Sequence, residues 1–327
     1  MTDDPQLRFT ALDPLKLNRT STPTKLMKSS NIFQAAFALI LGGTLHTSAA
    51  TIVNDTFLDG SRGQQNLPTE SRWFKGGAGT LDVVAPGGPL RGDLGAGSTS
   101  SASWTTYFAS SGSPLTLANT GDNLKVTWQF TLTGIGAQNN SQNFRLALIN
   151  TPESARLAAD GNPGDAAYAG YGMFMNLAPT LGNSNPFQLM ERTNPVASSA
   201  LLSAGASWKG LANGATTGNT GYVEDTLYTY TLSLTLNALG GLDIESIMAG
   251  GSLNNSGSAT VTYTDATPNS LNFDTFSIRP SNATGAAQIF DTSLFKVEFT
   301  AVPEPSTLAL LGAGFFGLIF KNVRKRQ

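Results

Sequence analysis

Between residues 51 and 302 runs of alternating apolar and polar residues recur, and no helical apolar period persists over three turns. In 124–132, Val126, Trp128, Phe130 and Leu132 share one face, and Lys125, Thr127, Gln129 and Thr131 share the other. Residues 228–236 repeat the pattern, with Tyr228, Tyr230, Leu232, Leu234 and Leu236 on one side and Thr229, Thr231, Ser233 and Thr235 opposite. The runs 144–148 and 295–299 alternate likewise. Period-2 alternation with threonine on the wet face marks antiparallel sheets buried on one side. Further strands are predicted at 52–57, 80–84, 104–108, 170–176, 187–191, 242–247, 259–263 and 271–278. Gaps rich in Gly, Asn and Pro, such as 134–143, 160–164 and 250–257, separate them. A dozen or so such strands suit an all-β, antiparallel two-sheet jelly-roll sandwich. No short repeat argues for a propeller or β-helix.

The two ends read differently. Residues 32–45 form an apolar run behind Lys25 and Lys28, closing in His46-Thr47-Ser48-Ala49-Ala50. A positive flank, short apolar core and small-residue exit form a secretory signal. Residues 1–50 are therefore predicted to be leader and signal helix, cleaved after Ala50. Met27-Lys28 would make an ordinary start, so 1–26 is either a misassigned extension or a long leader. The competing reading is a buried core helix, but no acidic residue interrupts 16–53. At the other end, Pro303-Glu304-Pro305 precedes the apolar run 308–320, and Lys321, Arg324, Lys325 and Arg326 follow. That apolar run spans about 20 Å as a helix, against a hydrocarbon core of about 30 Å. It is a short transmembrane helix, helped by snorkelling of Lys321 and Arg324. The basic cluster predicts a cytoplasmic end, with the ectodomain across the membrane.

Taken in that order, motif, apolar helix and basic cluster resemble the PEP-CTERM protein-sorting tail of exported Gram-negative proteins. The resemblance covers residues 303–327. It implies an exosortase-type sorting transpeptidase as partner, cleavage near Pro303–Pro305, transient membrane anchoring, and delivery to the cell surface or extracellular matrix. A permanent single-pass anchor is the alternative.

Residues 51–302, about 250 long, suit one domain. They hold 11 Lys and Arg against 18 Asp and Glu, a net charge of −7. With the basic clusters confined to the ends, no nucleic-acid partner is expected. There is no cysteine, and the single histidine, His46, falls within the predicted signal. Histidine- and cysteine-based nucleophilic arrangements and the usual zinc sites are thereby excluded from the ectodomain.

The segments 144–150 and 171–176, with an opening 54–60 and a closing 289–299, resemble concanavalin-like and laminin-G-like jelly rolls of bacterial surface proteins. That resemblance implies glycan or matrix recognition, with exopolysaccharide as partner. Glycan-cleaving enzymes hold two carboxylates about 5–10 Å apart. Asp243 and Glu245 form the one clean i,i+2 pair in a predicted strand, but Gly241 and Met248 break the Glu-x-Asp-x-x-Glu pattern. Glu224 and Asp225 are adjacent and read as a cap or turn. No cofactor is required. Calcium is the ion that hard oxygen ligands admit, with Asp55 near the first strand and Asp291 near the last expected to converge. Asp160–Asp165 has calcium-loop oxygen density without EF-hand spacing and reads as a solvated turn. Trp128 reads as core. Trp73, Trp104, Trp208, Tyr168, Tyr171 and Tyr222 are either packed aromatics or sugar platforms. The expectation is a non-catalytic, exopolysaccharide-associated surface protein. The alternatives are a carbohydrate-active hydrolase or lyase, and a structural coat component without a small ligand.

Overall fold

A computed structural model describes residues 49–193, 201–203 and 207–303. Within them seventeen strands, β1–β17 in chain order, build two packed antiparallel sheets and a two-stranded ribbon. Two 3-10 turns, Glu153–Ala155 and Leu253–Asn255, are the helical content among the described residues. The predicted signal up to Ser48 and the predicted transmembrane helix lie outside the described residues.

The larger sheet runs β14 (Ser258–Asp265), β13 (Leu242–Ala249), β12 (Tyr228–Leu236), β7 (Asn123–Ile135), β17 (Ala287–Thr300), β4 (Leu90–Asp93) and β3 (Thr80–Val83). β1 (Ala50–Asp55) shares with β4 the edge of β17 that faces away from β7. The smaller sheet runs β11 (Trp208–Asn213), β10 (Phe187–Arg192), β9 (Ala169–Met175), β8 (Phe144–Asn150), β16 (Thr275–Pro280), β5 (Ala102–Tyr107) and β2 (Trp73–Gly77). The ribbon pairs β6 (Leu115–Thr116) with β15 (Asn272–Phe273). The chain crosses from sheet to sheet, as from β5 to β7 to β8, so that sequence neighbours face one another across the core. This is the predicted jelly-roll sandwich.

The alternation in β7 and β12 translates directly into burial: Val126, Trp128, Phe130 and Leu132, and Tyr228 to Leu236 in steps of two, lie inside. Trp128 anchors the core, stacked on Phe130 at 3.9 Å between ring centroids. It donates its indole N–H to Thr292 Oγ1 at 3.0 Å, so its one polar atom is satisfied. Trp104 closes the other half, edge-on to Phe290, over a position only glycine can fill. A Cβ on Gly92 would lie 2.2 Å from the Trp104 ring.

Candidate functional site

The two outward sheet faces differ. On the larger sheet, hydroxyls and charges stand in register. Thr127 faces Thr231, which faces Ile247 and then Thr260. In the next rows, Thr235, Asp243 and Thr264 align, as do Ser233, Glu245 and Thr262. Asp243 and Glu245 thus share a face, exposed at the floor of a shallow depression of about 550 Å³ lined by these hydroxyls. Asp243 accepts from Thr264 Oγ1 at 2.8 Å.

The outer face of the smaller sheet is partly covered. Residues 151–168 cross it, and with Leu201, Leu202 and Trp208 they enclose a second small core of Ala147, Ile149, Tyr168, Phe174 and Met190. The crossing loop is pinned by Arg156, which donates to the Asp274 carboxylate at 2.8 Å and to Ala109 O at 2.7 Å, with its guanidinium 4.0 Å from the Tyr107 ring centroid. At its tip Asp160 takes a bidentate bond from Arg62, at 3.0 and 2.8 Å, and the Lys75 N–H. Arg62 above all holds the Asp160 carboxyl down to about 2.

Beside this covered half lies a row set by strand register: Arg279, Arg145, Phe174, Gln188 and Asn213. Phe174 is buried between the Arg145 guanidinium, 4.6 Å from its ring centroid, and Trp208. The arginines and Gln188 are partly exposed and Asn213 is exposed. Amides border the row. Gln142 donates to Gln188 Oε1 at 3.0 Å, and beneath it the buried Asn143 and Asn176 both donate to Asn139 Oδ1 and to nearby carbonyls. Cation, aromatic and amide side chains at fixed spacing make this row the best-built polar surface among the described residues.

The predicted calcium pair is not brought together. Asp55 lies opposite Phe295 in the β1–β17 register, four residues along β17 from Asp291, which is about 13 Å of strand. Asp55 is buried and accepts from Phe57 N, Ser71 N and Ser71 Oγ at 2.9–3.1 Å. Burial pushes its carboxyl up, partly offset by those donors. Asp291 is held bidentately by Arg91 at 2.8 and 2.7 Å. Oxygens so committed do not fit a shared calcium ion. Among the described residues no three acidic side chains converge as metal ligands. Asp160 and Asp165 are both exposed, and Asp160 is in addition paired with Arg62.

The six aromatics considered as sugar platforms, Trp73, Trp104, Trp208, Tyr168, Tyr171 and Tyr222, are all buried. Glu224 and Asp225 form a turn ahead of β12, and their carboxylates serve β7 instead. Asp225 has φ 55°, so the chain is not extended there, and the two carboxylates accept from Ile135 N and Thr133 Oγ1 of β7. Sequence reasoning missed a buried tie between the sheets. Tyr171 donates to Asp265 at 2.8 Å, and the Glu191 carboxyl contacts that of Asp265. Burial first, and Asp265 beside it, push the Glu191 pKa up.

Pro303 is exposed just beyond the end of β17, where Val302 N donates to the Asp122 carboxylate at 2.7 Å. Glu304, Pro305, Lys321, Arg324, Lys325 and Arg326 lie outside the described residues. Among the described residues no helix is long and apolar enough to cross a membrane.

The tail, and not the fold, marks the chain as exported and membrane-processed. Residues 301–325 match the PEP-CTERM protein-sorting motif. No curated protein matches the chain in sequence. Among the solved structures similar to it are lectin and lectin-like domains. The exoplasmic/lumenal domain of VIP36, in a Ca2+/Man2-bound form, is 12% identical with a TM-score of 0.47, over 78% of this chain and 91% of that one. Peanut lectin is 11% identical with a TM-score of 0.41, over 72% of this chain and 100% of that one. Arcelin-5, a lectin-like defence protein from Phaseolus vulgaris, is 10% identical with a TM-score of 0.39, over 78% and 99%.

Proposed function

We propose that this chain is a non-catalytic protein of the cell surface or extracellular matrix, associated with exopolysaccharide after an exosortase-type transpeptidase removes its tail. The observation that carries the reading is the PEP-CTERM motif at 301–325, which begins where the last core strand ends. A transpeptidase cutting near Pro303–Pro305 would release a sandwich with all its strands intact. The absence of Cys from the chain and of His from residues 51–302 supports a binding role over a catalytic one. So does the solvent-exposed setting of Asp243 and Glu245 on an open face. The amide- and arginine-bearing row on the smaller sheet is the surface suited to sugar hydroxyls.

Fractionation of the host culture tests this. The protein is expected in the surface matrix and released when periodate oxidises the polysaccharide diols, with no sugar release by the purified protein. Recovery in the detergent-soluble membrane fraction, unaffected by periodate, would overturn it. A second reading, lateral packing as a coat component, is favoured by the threonine rows of the larger sheet. It predicts ordered self-assembly of the purified protein without added polysaccharide.

A further inference from the structure

Arg145 of β8 and Arg279 of β16 stand directly opposite one another. Like charges so placed are destabilising unless something offsets them. Neither belongs to any ion pair among the described residues. Strands β5, β8, β9 and β16 contain no Asp or Glu. The adjoining residues 97–101, 136–143, 177–186, 193–207 and 281–286 contain none either.

The neutral contacts do not use up the donors. Arg145 gives Nε to Gln142 O at 3.3 Å and Nη1 to Leu202 O at 2.8 Å, while Arg279 gives Nη2 to Ser101 Oγ at 3.2 Å. Arg145 Nη2 and Arg279 Nε and Nη1 have no partner among the described residues. Burial pushes both guanidinium pKa values down, that of Arg145 to about 10, where the Arg279 charge adds to the effect. Two half-buried cations with spare donors and no counter-charge form a receptor for an oxyanion.

We propose that the Arg145–Arg279 pair is a subsite for the acidic group of a polysaccharide, a uronate carboxylate or a sulfate ester. This rests on the polysaccharide reading above and specifies its ligand class. An ectodomain of net charge −7 repels polyanions in general, so their capture requires a dedicated cationic point. The flanking Gln188, Gln142 and Asn213 supply neutral donors and acceptors for the hydroxyls of adjoining sugar units.

Affinity electrophoresis of the full-length protein through gels containing polygalacturonate, dextran sulfate or unmodified dextran tests the subsite. Wild type is expected to be retarded by at least one acidic polymer, less so as NaCl is added. The polymer that retards it identifies carboxylate or sulfate. Arg279→Gln should weaken that binding roughly tenfold, as expected for loss of a charged hydrogen-bonding partner, with dextran mobility unchanged and the thermal melt not lowered, since a like-charge repulsion is removed. Arg145→Gln should weaken it too, and also lower the melt by freeing Leu202 O. If Arg279→Gln fails to fold, competition on wild type decides: displacement by galacturonate or inorganic sulfate, and not by glucose, supports the subsite. Arg279→Gln binding both acidic polymers like wild type, wild type ignoring both, or equal retention by dextran each overturns it. Periodate-sensitive matrix association could survive any of those results, which separates failure of the subsite from failure of the broader reading.

Discussion

Truncating Asp274 should detach the loop that covers the smaller sheet. Asp274 sits between β15 and β16, with Oδ1 accepting Thr151 N at 2.9 Å and Thr275 Oγ1 at 2.6 Å, and Oδ2 accepting Arg156 Nη1 at 2.8 Å. The ion pair is largely dry, with side-chain exposures of 14% for Arg156 and 3% for Asp274. Its carboxyl pKa is nevertheless raised, because burial outweighs the donors from Thr275, Thr151 and Arg156. The pair is therefore a weak source of net stability, yet costly to break on one side. Asp274→Ala leaves a buried guanidinium without its anion and Thr151 N unpaired, which costs about 3–5 kcal/mol. For a domain of this size that lowers Tm by roughly 6–20 °C. Asp274→Asn keeps an acceptor for Thr151 N and should cost less, about 1–3 kcal/mol. Urea unfolding measures the totals, and limited proteolysis within 151–168 reports local release. A loss under 1 kcal/mol in Asp274→Ala, with the loop still protected, would show that Asp274 does not anchor the loop.

Three further outcomes are expected. Because the folded-state pKa of Glu191 lies above its ordinary value of about 4.3, its stabilising contribution is present in acid and is lost as pH rises through the raised value. Glu191→Gln should therefore gain on wild type in chemical-denaturation stability from pH 4 to pH 8, and a constant difference would contradict the raised carboxyl pKa. Gly92→Ala drives a methyl into the Trp104 ring and should cost about 1–3 kcal/mol. Trp104→Leu in the same chain should recover part of that loss in urea midpoints. Because Asp55 and Asp291 are committed to Ser71 and Arg91, millimolar calcium or EDTA should leave Tm unchanged. A rise of several degrees with calcium would mark a site elsewhere.

The strands that sequence made legible are those whose period-2 alternation is unbroken, such as β7, β12 and β13. β2, β4 and β11 escaped because glycines interrupt their short runs: Trp73-Phe-Lys-Gly-Gly, Leu90-Arg-Gly-Asp and Trp208-Lys-Gly. The predicted strand 271–278 divides at Asp274, whose side chain serves the loop anchor while β15 leaves for the ribbon with β6. The sorting motif was readable because its parts are contiguous. Arg145 and Arg279, or Glu191 and Asp265, lie far apart in sequence and meet only through sheet register and sheet packing, which alternation alone does not determine. The expected convergence of Asp55 and Asp291 is absent for a related reason. β1 does pair with β17, but in a register that offsets the two acids, and each already has its own donors.

The proposed surface role requires that the sandwich be exported and parted from its tail near Pro303–Pro305. Intact-mass and terminal-peptide analysis of the protein from the host's surface and matrix fraction tests it most directly. The C-terminal peptide of the mature chain is expected to end at 303–305, without the apolar run 308–320 or the basic residues beyond it. The full 327-residue chain, recovered uncleaved from the cytosol, would contradict it.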